Sequence, residues 1–165
     1  GNHRWAEDSE YQSAYCNYKL SPRPSLDQDY TEKAINKFNL FIRRHPGHPK
    51  VAECQKLIGE LRDKLAIKAY NAAKLYYDME DYKAATIALE NCLKRYPNTT
   101  HRKEIKFLVL KSKFLLASNS VKSKEEERFQ ETLDAYYTFT TEYPDSEHNE
   151  EIKKIYDTTQ RNLKN

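Results

Sequence analysis

Glycine is scarce in this chain, with three among 165 residues, and proline contributes only six. That scarcity excludes a flexible low-complexity polymer or a collagen-like one. Cysteine is confined to Cys16, Cys54 and Cys92, which lie on separate predicted helices. They have neither CxxC spacing nor a paired histidine pattern, so zinc-ribbon and redox readings fail. Buried thiols acting as small hydrophobes account for them best, and the compartment stays open. Long apolar runs are missing too: Phe107-Leu108-Val109-Leu110 stops at four residues, far short of the ~20 that span a membrane. Charge of one sign is also lacking. Basic residues number 28 and acidic ones 25, well mixed, for a net charge of +3. Such a balance gives no footing for nucleic-acid binding. No charged-then-apolar leader stands at the N-terminus, and the opening GNHRWAEDSE reads as an internal start with any targeting segment upstream.

What the chain does contain is a phrase written three times and closed by proline: AINKFNLFIRRHP (34–46), AATIALENCLKRYP (84–97) and TLDAYYTFTTEYP (132–144). Counted back from Pro46, Pro97 and Pro144, small Ala34, Ala85 and Thr132 fall at 12, large Phe38, Leu89 and Tyr136 at 8, and Phe41, Cys92 and Phe139 at 5. A small residue followed by large ones four and seven positions later is a single stripe of an α-helix. Proline then ends it, lacking the N–H and clashing with the preceding turn. The hydrophobic share is 38% and the charged share 32%, which suits thin, stacked helical hairpins that expose much surface.

The periodicity predicts an all-α fold, an α-solenoid of tetratricopeptide-like helical hairpins with about seven helices in a single domain. Helices are expected near 5–19, 28–45, 49–79, 81–95, 100–118, 123–142 and 146–163. Repeat units fall near 5–46, 49–97 and 100–144, with 146–163 as a C-terminal helix. Tyr11, Ala14, Tyr15 and Tyr18 mark the first helix, after which LSPRPSLDQD (20–29) breaks the pattern. Val51, Cys54, Ile58, Leu61 and Leu65 form one seam on the third, continued through Ala69, Ala72, Ala73 and Tyr76. Gly59, inside that seam, is read as a close helix crossing. Ile105, Leu108, Val109, Ser112, Leu115 and Leu116 are expected to be buried, and Ile152, Ile155, Tyr156, Thr159 and Leu163 to share a face. Ser123 and Glu126 have the spacing of a capping box. The middle unit fits the tetratricopeptide pattern best: Ala73 and Ala85 let two helices approach while Tyr76 fills the wedge between hairpins. The proline-to-proline steps of 51 and 47 residues exclude a plain array of regular repeats.

Local signatures of catalysis are absent from the sequence: it has no GxSxG, no HExxH and no glycine-rich phosphate loop. No enzyme activity and no cofactor is therefore expected. His45 and His48 flank a turn and read as exposed loop histidines rather than a metal pair. Glu125, Glu126 and Glu127 read as the first turn of a helix, complementing its dipole. The 13 tyrosines are more informative. Tyr76, Tyr82 and Tyr136 take core positions with the hydroxyl at the rim. Tyr77 and Tyr137 point the other way and either anchor a partner or pack in part on an adjacent helix. Arg62, Lys64 and Lys68 on the third helix form either a solvated face or a meeting point for an acidic partner.

Three stretches taken in order, SPRPSLDQDYTEKAINKFNLFIRRHP, then AECQKLIGELRDKLAIKAYNAAKLYYDMEDYKAATIALENCLKRYP, then EERFQETLDAYYTFTTEYPDS, resemble the BamD family in its Bacteroides-type form. The SLDQ segment and the long helix running into LAIKAYNAAKLYY are its most specific parts. The resemblance covers residues from about 8 to 160 and implies a lipid-anchored protein at the periplasmic face of the outer membrane. It implies a non-enzymatic scaffold that helps the barrel-forming subunit BamA fold outer-membrane proteins, with this chain as the C-terminal portion. Implied partners are the POTRA domains of BamA, other assembly-complex lipoproteins and unfolded outer-membrane proteins, with membrane contact only through an N-terminal lipid anchor. A basic position just before Leu-Ala on the long helix is implicated in POTRA docking, and Lys64 stands there. Lysine keeps the charge of the family's arginine but not its bidentate fork. Two other readings remain: a tetratricopeptide adaptor that holds extended peptides outside barrel assembly, and an accessory module of a larger enzyme.

Overall fold

The computed structural model describes residues 2–164, with side chains from residue 5 onward. Among them are seven helices: α1 (Asn2–Leu20), α2 (Asp29–Arg44), α3 (Val51–Asp78), α4 (Tyr82–Arg95), α5 (Arg102–Ser118), α6 (Lys122–Glu142) and α7 (Asn149–Lys164). Each lies within three residues of its expected ends, and the described residues contain no strand. The chain forms two compact units, Gly1–Lys68 and Ala69–Asn165. The boundary falls inside α3.

The proline phrase is a repeated backbone device. Arg44, Arg95 and Glu142 end their helices two residues before Pro46, Pro97 and Pro144. The intervening His45, Tyr96 and Tyr143 adopt nearly the same conformation, with φ of −130°, −128° and −132° and ψ of 59°, 65° and 68°. A residue before proline is pushed out of the helical region by the ring, which explains the shared departure. Each still donates its N–H to the carbonyl four residues back, on Phe41, Cys92 and Phe139, at 2.8–2.9 Å. Two residues beyond the proline a side chain caps the start of the next turn. His48 Nδ1, Thr99 Oγ1 and Ser146 Oγ each accept a backbone N–H at 3.2 Å, from Lys50, His101 and His148. The next helix then starts five residues past the proline, at Val51, Arg102 and Asn149. Three dissimilar turn sequences thus make one geometry.

In the first unit α1 packs on α2, and the core joins Tyr11 and Ala14 of α1, the α2 stripe Ala34, Ile35, Phe38 and Phe41, and Cys54, Leu57, Ile58 and Leu61 of α3. Tyr11 meets Phe38 and Phe41 at ring separations of 6.2 and 5.9 Å. In the second unit α4 packs on α5, α5 on α6, and α6 on α7. One cluster there gathers Ala73, Leu89, Cys92, Ile105, Leu108 and Val109; another gathers Phe107, Leu110, Phe139, Ile152 and Ile155. Successive helical hairpins therefore build each unit. Ala34, Ala85 and Thr132 are wholly buried, as are Phe38 and Leu89, while Tyr136 is partly buried against the last cluster.

Several sequence expectations differ from what is observed. Tyr76 is 44% exposed, whereas Tyr77 packs against the core and meets the Tyr82 ring at 5.6 Å. Ala72 is exposed beside Tyr76. Gly59 marks no close crossing, since a Cβ there would meet nothing within 4 Å. No capping box forms at Ser123 and Glu126, because α6 begins one residue earlier, after Val121, which makes no side-chain cap. Leu65, Leu115, Leu116 and Leu163 are only partly buried. The turn from α3 to α4 is a Schellman arrangement: Asp81 N–H donates to Tyr76 O and Glu80 N–H to Tyr77 O, with Glu80 at φ 62°. Asp81 then caps α4, its Oδ1 accepting the Ala84 N–H at 3.0 Å.

Candidate partner-docking surface

The three basic positions on α3 have different surroundings. Arg62 is exposed. Lys64 is partly buried and donates to Ser21 Oγ at 2.8 Å and to Ser21 O at 3.3 Å. Burial pushes its ammonium below the usual lysine range. Lys68 donates to Leu26 O at 2.8 Å. Both lysines thus hold the segment between α1 and α2.

That segment is tied by a continuous polar chain. Thr31, fully buried on the apolar stripe of α2, donates to Gln28 Oε1 at 2.7 Å. Its only proton is then committed, so at the 2.5 Å contact Ser21 Oγ is the donor and Thr31 Oγ1 the acceptor. Ser21 in turn accepts from Lys64, and every hydroxyl in the chain gives and takes one bond. Gln28, 6% exposed, closes the circuit by donating its amide protons to Arg23 O at 2.9 Å and Leu26 O at 3.0 Å. The Leu26 N–H also donates to Arg23 O at 3.1 Å, making a turn with Pro24 at its second position. A buried network is stable only when all its members are satisfied, and this one is. Sequence reading missed it. The available signal was Thr31, a polar residue on the stripe of Ala34, Ile35 and Phe38.

A second exposed region lies between α6 and α7. Tyr137 is 50% exposed, and Tyr136 stacks on Tyr156 at 4.5 Å. A groove of about 460 Å³ beside them is lined by Tyr136, Thr140, Ile152, Lys153 and Tyr156, among others. A third is the end of α3, where Leu75, Tyr76 and Met79 are 62%, 44% and 74% exposed. Tyr76, not Tyr77, is therefore the outward aromatic at this point of the helix.

His45 and His48 are not exposed loop residues. His45 and His48 lie against Phe41, with ring separations of 5.2 and 5.1 Å, and face carboxylates of α1. His45 Nε2 is 3.2 Å from Glu10, and His48 Nε2 is 3.9 Å from Glu7. His148 stacks flat on Phe107 at 3.9 Å, and its Nε2 lies 3.5 Å from Glu104 and 3.8 Å from Glu147. The ligand atoms of Glu104, Glu147 and His148 lie within 4.8 Å of one another, so they are the described residues closest to a metal-holding arrangement. Lys103 already pairs with Glu147 there, which serves a charge-balanced contact better than a cation. Cys54 and Cys92 are buried, and burial pushes both thiols up. Cys16 departs from the expectation and is exposed, because its position on α1 lies off the seam of Tyr11 and Ala14.

No helix among the described residues is long and apolar enough to cross a membrane. No curated protein matches the chain. The model of the YfiO family, described as outer membrane lipoprotein, matches residues 2–115, which take in the whole Ser21–Lys64 network, α3 and α4. With more than half its length matched, the chain belongs to the YfiO family of outer membrane lipoproteins.

Proposed function

We propose that this protein is a non-enzymatic scaffold of the outer-membrane β-barrel assembly machinery and that it docks the periplasmic POTRA domains of BamA. The family match over residues 2–115 carries the reading. In this reading the chain is the C-terminal, docking portion of a Bacteroides-type member, working at the periplasmic face of the outer membrane. Its partners are protein surfaces, and its helical hairpins supply a rigid frame for exposed side chains rather than a reaction centre. Capture of purified POTRA domains on the immobilised chain tests it. Retention of the POTRA domains, weakened by Lys64→Glu, is the expected result. No retention by the unaltered chain overturns the docking role.

One observation favours a second reading, an adaptor for extended peptides outside barrel assembly. The Tyr136–Tyr156 groove lies beyond the family-matched stretch, is open to solvent and has aromatic walls that suit a peptide. Capture of extended peptides with no retention of POTRA domains would support it.

A further inference from the structure

We infer that the turn at residues 23–26 is itself the element that a partner reads, and that Lys64, Lys68, Thr31 and Gln28 are positioning residues that hold it. The inference rests on the docking role proposed above. Its motive is the direction in which the groups point. The carbonyls of Arg23 and Leu26 each accept two hydrogen bonds from within the unit: Arg23 O from the Leu26 N–H and Gln28 Nε2, Leu26 O from Gln28 Nε2 and Lys68 Nζ. The backbone of the turn is therefore over-determined. Its side chains are not engaged in the same way: Arg23 is exposed and Leu26 is 48% exposed.

Fixing an arginine and a leucine on a short rigid turn, with both side chains outward, removes the ordering cost that a flexible loop would bear on binding. The fitting partner is a folded protein surface with a carboxylate beside a shallow apolar pocket. Charge points the same way. Arg23 and Lys68 are exposed cations here, whereas Asp29 is already paired with Lys33 at 2.5 Å and Asp27 Oδ1 accepts the Asp29 N–H at 2.9 Å. Lys64 is poorly placed for direct recognition. Its ammonium is partly buried and already donates to two oxygens of Ser21. A charge change at Lys64 thus acts through the turn.

The test measures the affinity of the whole chain for purified POTRA domains by biolayer interferometry. Arg23→Glu and Leu26→Asp, both on the surface of the turn, are expected to weaken binding ~10-fold or more. Thr31→Val breaks the polar chain at a buried position that no partner touches, and is expected to weaken binding ~3–10-fold, with Thr31→Ser restoring it. Lys64→Met should match Thr31→Val, and the double variant should be no weaker than either single one, because both act through one network. Circular dichroism melts separate loss of fold from loss of binding. Normal binding by Arg23→Glu and Leu26→Asp overturns the inference while leaving the docking role intact. Additive losses in the double variant overturn it as well, because they place Lys64 in direct contact. No binding by the unaltered chain removes the docking role and this inference together.

Discussion

Replacing Glu142 by glutamine should destabilise the second unit at neutral pH and leave it nearly untouched in strong acid. Glu142 is the last residue of α6 and Arg102 the first of α5. Each is misplaced on its own helix, a negative charge at a C-terminus and a positive one at an N-terminus, where the dipole disfavours them. The packing of α5 on α6 brings the two ends together and makes each the other's partner. Arg102 Nε donates to Glu142 Oε1 at 2.6 Å and Nη2 approaches Oε2 at 3.5 Å. Lys106 pairs with Oε2, and the Tyr143 hydroxyl donates to Oε1 at 2.9 Å. Arg102 foremost pulls the carboxyl from 4.5 down to about 2; burial, the next largest influence, opposes it, and Lys106 and Tyr143 add to the pull.

A depression of that size corresponds to about 3 kcal/mol in the unscreened limit. The carboxylate is 33% exposed, so solvent screening reduces the expected contribution to ~1–2 kcal/mol. Because the folded-state value is the lower one, this stability is fully present above the ordinary carboxylate range. It is lost as pH falls from about 4.5 toward 2. Urea denaturation followed by far-ultraviolet circular dichroism at pH 7 and at about pH 1.5, below the folded-state value, compares Glu142→Gln with the unaltered chain. Tryptophan fluorescence would not serve, since Trp5 lies in the other unit and is 78% exposed. An equal loss at both pH values would refute the reasoning, because it would show that packing, not charge, carries the effect.

Gly59→Ala should stabilise the first unit by ~0.5–1 kcal/mol, since the new methyl meets nothing and the unfolded chain loses freedom. Slower amide hydrogen exchange through α3 would register it. Ala85→Leu should cost ~1–3 kcal/mol by overpacking a fully buried site, and a thermal melt like that of the unaltered chain would show the hairpin register to be misassigned. Glu80→Gly should raise stability by ~0.5–1 kcal/mol, because φ 62° strains a residue with a Cβ; chemical denaturation monitored by circular dichroism measures it.

What the sequence disclosed best was local and periodic. The three proline phrases carried the helix ends, the buried small residues and the spacing to the next helix, because proline sterics and helical period act over a few residues. Phase was harder. On a helix each residue turns about 100°, so Tyr76 and Tyr77 stand on opposite flanks of Ala73. Only the additional placement of Tyr70, seven residues before Tyr77, against the same cluster shifts the buried face toward Tyr77. Counting spacings from Ala73 alone could not separate the two. Gly59 failed for a related reason, since its neighbours Leu57 and Ile58 are buried but its own direction is outward.

The docking region was least legible because its bonds join residues far apart in the chain. Lys64 and Ser21 are 43 positions apart, and Lys68 and Leu26 are 42 apart, so no short motif contains either pair. Their chemistry nevertheless left a trace. Thr31 breaks an otherwise apolar stripe, and a polar residue facing a core demands a partner or costs ~1–3 kcal/mol. Once Gln28 answers that demand its amide protons must be spent too, and the nearest acceptors are the carbonyls of the turn before it. The order of the turn thus follows from the burial of a single hydroxyl. A hydrophobic residue at position 31 would satisfy the α2 core equally well, but it would free the Gln28 side chain that braces the turn and leave Lys64, Lys68 and the Leu26 N–H to hold it.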